Sequence, residues 1–352
     1  PTKARTSRTR GDSARDVADA RRDKMGATTT SDSLLSAAVA VAGACCAGVG
    51  VVTALRIYRD ARRRTKRRSD PATWAARVDL AAAYHLCDQM DMNEGICNHL
   101  TVMVPGTNDR FLCVPYGLLW SEVTASNLLL VNGNGDVLEG TGEIDSTAFH
   151  IHKAIHKRGV VAVLHTHQPY ATALCCTDAQ DGGFKLEMCH QNSLRFWNEI
   201  AYDDEFNGLV LDDDEGERLV KVMNGRRILM HQSHGIIVCG ASVAEAFDDL
   251  YYLERAARQQ ILAQSTGKKL KLVGDDVAMG FKNDCEDDGA KSKWANLHYD
   301  ALKRGLMRGP GRIFCSADYI FPNAAVELIF LVWFSRAAYL FVDELKEHII
   351  RA

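Results

Sequence analysis

The strongest constraint on this chain's fold is a short apolar run that ends in chemistry. Residues 160–164 are Val, Val, Ala, Val and Leu, followed by His165, Thr166 and His167. β-Branched residues in a run of this length predict a buried strand. Side chains two apart on a strand share a face, so His165 and His167 can grip one metal ion. A third imidazole, His234, lies where the residues read as strand, tight Ser-His-Gly turn, strand over 227–240. Three histidines that leave a coordination position open describe a catalytic zinc-type site rather than a structural one. The chain has 12 histidines, so spacing alone does not separate ligands from ordinary buried imidazoles.

Other histidines carry weaker signals. His152 and His156 stand at i, i+4 on a helix expected over 147–157, without the intervening glutamate of a zincin motif, and read as structural. His231 precedes His234 by three in the same strand-turn segment, and strand alternation assigns it to a different face, as a spare rather than a ligand. Tyr170, three residues beyond His167, is close enough in sequence to reach the site, although a core or interface tyrosine is the commoner outcome.

The ordered set of segments resembles the class II aldolase/adducin head-domain family. The resemblance runs from about residue 80 to 278: an opening helix at 80–87, a strand around Asn98 at 95–106, and a Pro-Tyr-Gly turn at 115–117. After these come 122–128, the His-x-His strand, the Ser233-His234-Gly235 turn and a helix from Val243. It implies an α/β fold, a three-layer α/β/α sandwich around a mainly antiparallel central sheet, and often a homotetramer with the metal near a subunit interface. It also implies that His165, His167 and His234 match the metal ligands, with a divalent ion of zinc type as cofactor. Asn98, Gly117, Ser146 and Thr147 match substrate-lining positions. Where aldolases of this family carry Ser-Ser-Glu, this chain has Ser146, Thr147 and Ala148. Alanine cannot act as general acid or base, and the adducin-like branch lacks the same glutamate. The glycine expected before Asn98 is Cys97, and the turn before Gly117 is rebuilt with Val114. Such bulk disfavours a phosphate held by close-approaching backbone amides.

Two functions follow as expectations. One is a metal-dependent lyase or isomerase acting on a small hydroxy-carbonyl compound. The other is an adducin-like, non-catalytic scaffold beneath a membrane that engages the actin cytoskeleton. A formal charge of −3 argues against a dedicated nucleic-acid partner. The 11 cysteines have no zinc-finger spacing, and their odd number suits a reducing compartment.

The flanks are different material. Residues 1–32 are polar and charged and read as disordered. Residues 33–55 contain no charged side chain, long enough for a membrane-spanning helix, and a basic linker over 56–75 follows. The positive-inside rule leaves the domain facing the cytoplasm. A cytoskeletal or organelle-targeted chain is the alternative. Pro71 is expected to end any helix running out of the membrane. The domain is expected over 76–310, with a polar loop over 285–292 and an amphipathic helix over 294–304. Residues 311–352 form an extension with no assigned role.

Overall fold

A computed structural model describes residues 70–308, apart from 209, 211, 287 and 288. The expected disordered segment, membrane helix and C-terminal extension lie outside the described residues, as does most of the expected linker.

The first helix starts earlier than the sequence suggests. Asp70 caps it, its carboxylate accepting from Ala72 and Thr73 amides at 2.9 and 3.1 Å. Pro71 takes the first helical position, where a missing N–H costs nothing. Pro71 therefore opens a helix, α1 (Pro71–Gln89), inside the span expected for the linker. Ala81, Ala82 and Ala83 are fully buried on α1 beside Leu80 and Tyr84. Small side chains let this helix lie close to its neighbours. The Tyr84 hydroxyl donates to the Leu100 carbonyl and accepts from the Leu100 amide, both at 2.8 Å, which pins α1 to the first strand.

Eight strands make one sheet: β1 (His99–Met103), β2 (Arg110–Cys113), β3 (Leu129–Asn132), β4 (Val137–Glu139), β5 (Ala162–Thr166), β6 (Ile200–Asp203), β7 (Ile228–His231) and β8 (Gly235–Gly240). Their order is β4-β3-β2-β1-β5-β8-β7-β6, and only the β6–β7 pairing is parallel. The mainly antiparallel sheet is as expected. Alternation along β5 divides its residues between two layers. Ala162 and Leu164 join the larger core with Leu100, Val102, Ile236 and Val238, whereas Val163 joins the smaller one with Leu229, Ile237 and Cys239.

Helices complete the sandwich. The larger core is covered by α1, α3 (Pro169–Cys175), α5 (Val243–Gln264) and α7 (Ala290–Leu306). The smaller is covered by α2 (Ser146–His156) and α4 (Asp213–Met223). These two can pack tightly because residue 216 is glycine: a Cβ there would lie 2.6 Å from the His150 carbonyl oxygen. The polar loop expected over 285–292 is mostly helix, split between α6 (Asp275–Glu286) and α7. Charge explains the departure. Arg227 pairs with Asp249, Glu199 and Glu286 at 2.9, 2.5 and 3.1 Å, and Lys291 reaches Asp249 at 2.8 Å. Half-buried partners give these polar helices a reason to dock that no hydrophobic pattern announces.

Candidate metal centre and the adjoining cavity

The centre of the sheet places β5 between β1 and β8. His165 pairs across β1 with His99 and across β8 with Ile237. His167 follows just beyond the strand, and Asn98 holds it there, its Oδ1 accepting the His167 amide at 3.2 Å. Asn98 sits at φ +67°, a left-handed conformation that asparagine tolerates better than most residues.

His234 arrives from the turn between β7 and β8. Ser233 at φ +58° makes the turn tight, and the His234 amide donates to the His231 carbonyl at 3.2 Å. Gly235 permits the close approach. A Cβ on it would lie 2.5 Å from His167 Cδ2 and 2.8 Å from the Thr166 carbonyl oxygen. The three rings then form a triangle with centroid separations of 5.0, 4.8 and 4.8 Å. One ligand nitrogen from each lies within 4.8 Å of the other two.

Hydrogen bonds on the far side of each ring determine which nitrogen faces inward. His165 Nδ1 donates to the Ile236 carbonyl at 2.9 Å. His167 Nδ1 meets Glu94 Oε2 at 2.5 Å, and its Nε2 is buried with no partner. His231 Nε2 donates to the Glu205 carbonyl at 3.0 Å, which leaves its Nδ1 as an acceptor for His234 Nδ1–H at 3.2 Å. All three rings therefore present a bare Nε2. Burial, helped by neighbouring imidazoles, keeps His165 well below the ordinary histidine range and pushes His234 down to about 3. Neutral imidazole is the form that binds a cation. An orphaned inward nitrogen with partnered outward nitrogens is the arrangement that a metal-ligating histidine normally shows, so the residues fit a divalent ion.

His231, assigned to the spare face by alternation, instead orients His234. It is the last residue of β7, where the turn folds His234 back upon it. Neither His231 nor Glu94 is legible as an orienting residue from spacing.

A second histidine group stands beside the first. His156 Nδ1 meets the Val160 carbonyl at 2.8 Å and must donate to it. Burial pushes His156 down to about 4, so its Nε2 is an acceptor and takes the Thr101 hydroxyl proton at 2.7 Å. Thr101 Oγ1 then accepts from His152 Nδ1 at 2.6 Å, and His152 Nε2 accepts from His99 Nδ1 at 2.8 Å. His99 is left with a bare Nε2 that has no hydrogen-bond partner among the described residues. The helix pair His152 and His156 is thus consumed by hydrogen bonds, consistent with a structural role.

Beside His99 lies a small open pocket with enclosed room of about 20 Å³, walled in part by Asn98, His99, Phe111, Tyr116, Ala148 and Phe149. Asn98 Nδ2 is buried and unpartnered. Of the other expected substrate positions, Gly117 and Ser146 are exposed, and neither they nor Thr147 line this cavity. Their neighbours Tyr116, Asp145 and Ala148 do. Tyr170 packs on the larger core with the Arg258 guanidinium 5.4 Å from its ring centre, and makes no ring or hydrogen-bond contact with the three imidazoles.

Known proteins share this arrangement of segments. The family described as Class II Aldolase and Adducin N-terminal domain matches residues 78–261. A putative aldolase class 2 protein of Caulobacter vibrioides is 34% identical over 210 residues, 59% of this chain and 79% of that protein. Alpha-adducin of Rattus norvegicus is 30% identical over 246 residues, 65% of this chain but 32% of that protein. Among solved structures, an aldolase II superfamily protein from Pseudomonas syringae is 32% identical with a TM-score of 0.65, covering 71% of this chain and 99% of that one. From residue 78 to 261, this chain belongs to the class II aldolase and adducin N-terminal domain family.

Proposed function

We propose that the domain is a metal-dependent lyase or isomerase acting on a small hydroxy-carbonyl compound. One observation carries this reading: three imidazoles each bring a ligand nitrogen within 4.8 Å of the other two, and the Nδ1 of each ring is braced from behind. His165, His167 and His234 would hold a divalent ion, zinc being the natural occupant of an all-imidazole set. When bound, such an ion supplies Lewis-acid polarisation of a carbonyl oxygen.

The chain's own groups account for the rest. The ion would occupy the same end of the sheet as Asn98, whose free Nδ2–H donates to a substrate oxygen without desolvating a new polar atom. The Asn98 side chain also fixes the His167 backbone, so one residue couples substrate orientation to ligand position. Ala148 leaves the family's carboxylate position without a proton carrier. Gly117, Ser146 and Thr147 are absent from the pocket wall, which their chain neighbours Tyr116, Asp145 and Ala148 line instead. The test measures zinc content of the purified chain and retro-aldol release of aldehyde from a panel of small hydroxy-carbonyl compounds. Stoichiometric zinc with turnover is expected, and metal-free protein after growth in zinc would end the proposal.

A second reading is favoured by Ala148 and by the alpha-adducin relative: a non-catalytic, homotetrameric module that engages actin at a membrane. Among the described residues no helix is long and apolar enough to cross a membrane, and residues 33–55 lie outside them. Co-sedimentation with filamentous actin, together with partition into a membrane fraction, distinguishes this reading from the first.

A further inference from the structure

Strand β5 ends at Thr166, His167 follows, and only Gln168 separates that ligand from the first residue of α3. The first amides of a helix have no partner within it. Gln168 stands at the cap position, but its side chain makes no capping bond, and Pro169 carries no N–H. The amides of Tyr170 and Ala171 are therefore left over, three and four residues beyond His167. Water is not their partner of choice, since Ala171 is fully buried and Tyr170 half-buried.

A carboxylate far along the chain takes both. Glu254 Oε1 accepts the Tyr170 amide and Oε2 the Ala171 amide, each at 2.8 Å. Burial raises this carboxyl above its ordinary range, yet a bridge in which both oxygens accept N–H groups fits the ionised form. A carboxylate also suits the positive end of a helix. One turn earlier on α5, the Leu250 carbonyl accepts Gln168 Nε2 at 3.4 Å, and Gln168 Oε1 accepts the Thr166 hydroxyl at the same distance. Residues 250 and 254 share a face of α5, and Leu250, Leu253 and Ala257 seat that helix in the larger core. The chain leaving His167 is thus tied to one rigid helix at 168 and again at 170 and 171, while Asn98 holds the amide of His167 itself.

We propose that Glu254 is a positioning residue of the metal centre: by bridging the Tyr170 and Ala171 amides from α5, it fixes the direction in which the backbone leaves His167 and so where that ring points its Nε2. Glu94 braces the same ring at Nδ1 but is 65% exposed, so Glu254 supplies the rigid half of the support. Tyr170 then serves the site through its backbone amide rather than its ring. The role rests on the metal-centre reading for the ion, whereas the hold on His167 is measurable without one.

The experiment uses the full chain and compares Glu254→Ala with Glu254→Gln, which keeps the shape and one acceptor oxygen. Chelator competition reads zinc affinity, and the visible spectrum of the cobalt-loaded chain reads ligand geometry. Glu254→Ala is expected to weaken zinc by about tenfold to a hundredfold, the range for an outer partner, and to shift the cobalt bands. Glu254→Gln should recover part of both. Thr101→Val, which costs stability but braces no ligand, should leave both unchanged. A Glu254→Ala chain that melts earlier yet keeps the wild-type zinc affinity and cobalt spectrum overturns the proposal, because the carboxylate is then a helix cap alone. Where Glu254→Ala does not fold, Glu254→Gln decides: weaker zinc with shifted bands supports the role, and no change in either removes it. Should the wild-type chain bind no zinc, the metal-centre reading fails separately. The metal-free chain then decides the hold on His167 by diethyl pyrocarbonate labelling read by mass spectrometry. Faster labelling of His167 in the variant, with His156 unchanged, supports it, and an unchanged His167 overturns it.

Discussion

Two histidine groups meet across the β1–β5 pair, where His99 stands opposite His165, yet they are built for opposite ends. In the group of His165, His167 and His234, every Nδ1 is held from behind and every Nε2 is left bare. In the group of His99, His152 and His156, Thr101 joins the rings into a chain that uses all but one of the nitrogens. His165 and all of the second group are buried, and His167 and His234 are half-buried. The difference lies in where the lone pairs finish, so a count of histidines in a core says little about metal until each ring nitrogen has been assigned.

That contrast can be broken most directly at the ligands. His167→Ala should abolish stoichiometric zinc while leaving the fold intact, because its Nε2 is already orphaned and its removal strands no protein partner in the core. Competition with a chromophoric chelator measures this, and undiminished affinity would place the ion elsewhere. The loss should exceed the roughly hundredfold upper range seen when an outer partner is removed.

Acid should distinguish the structural chain next. His156 is depressed from 6.5 to about 4 in the folded protein, by burial. Below pH 6.5 the unfolded chain takes up a proton that the native state refuses, so stability is complete above that pH and falls as pH drops toward 4. The contribution is on the order of 3 kcal/mol by pH 4. Denaturant melts across this window should show the decline in metal-free protein, and a flat profile would contradict the assigned hydrogen-bond order.

Thr101→Val sharpens the same point. It removes the hydroxyl that joins His152 to His156 and leaves two buried nitrogens without partners, at a cost of about 1–3 kcal/mol. Zinc affinity should hardly change, since Thr101 braces none of the three ligands. A large loss of zinc binding would show that the two groups are one functional unit.

The smallest effect is expected at Glu94. Its carboxylate orients His167 but is 65% exposed, so water can replace much of what Glu94→Gln removes. Zinc affinity should fall by about tenfold or less. A complete loss would move Glu94 from an orienting partner to a ligand.

Much of the fold was legible because it depends on local pattern. The apolar run before His165 predicted a strand, the spacing from Val243 predicted a helix, and the turn at Ser233 to Gly235 was visible as such. Errors fell where long-range charge or capping intervened. The opening helix was expected from residue 80, whereas Asp70 caps a helix that begins at Pro71. The acidic stretch after Cys285 looked like a loop until Arg227, Lys282 and Lys291 gave its surroundings buried partners. Alternation left His231 outside the cluster, as it is, and missed its contact with His234, because the strand stops at His231 and a tight turn brings His234 back to it.

The sequence by itself determined that His165 and His167 share a face, because the two-residue period of a strand is a local property of the backbone. It also determined that residue 148 carries no proton. Only the tertiary structure decided that His234 completes the triangle, that Glu94 and His231 stand behind its rings, and that a small pocket opens beside Asn98 and His99. Those relations join segments far apart along the chain, and packing sets them through contacts that no local spacing encodes.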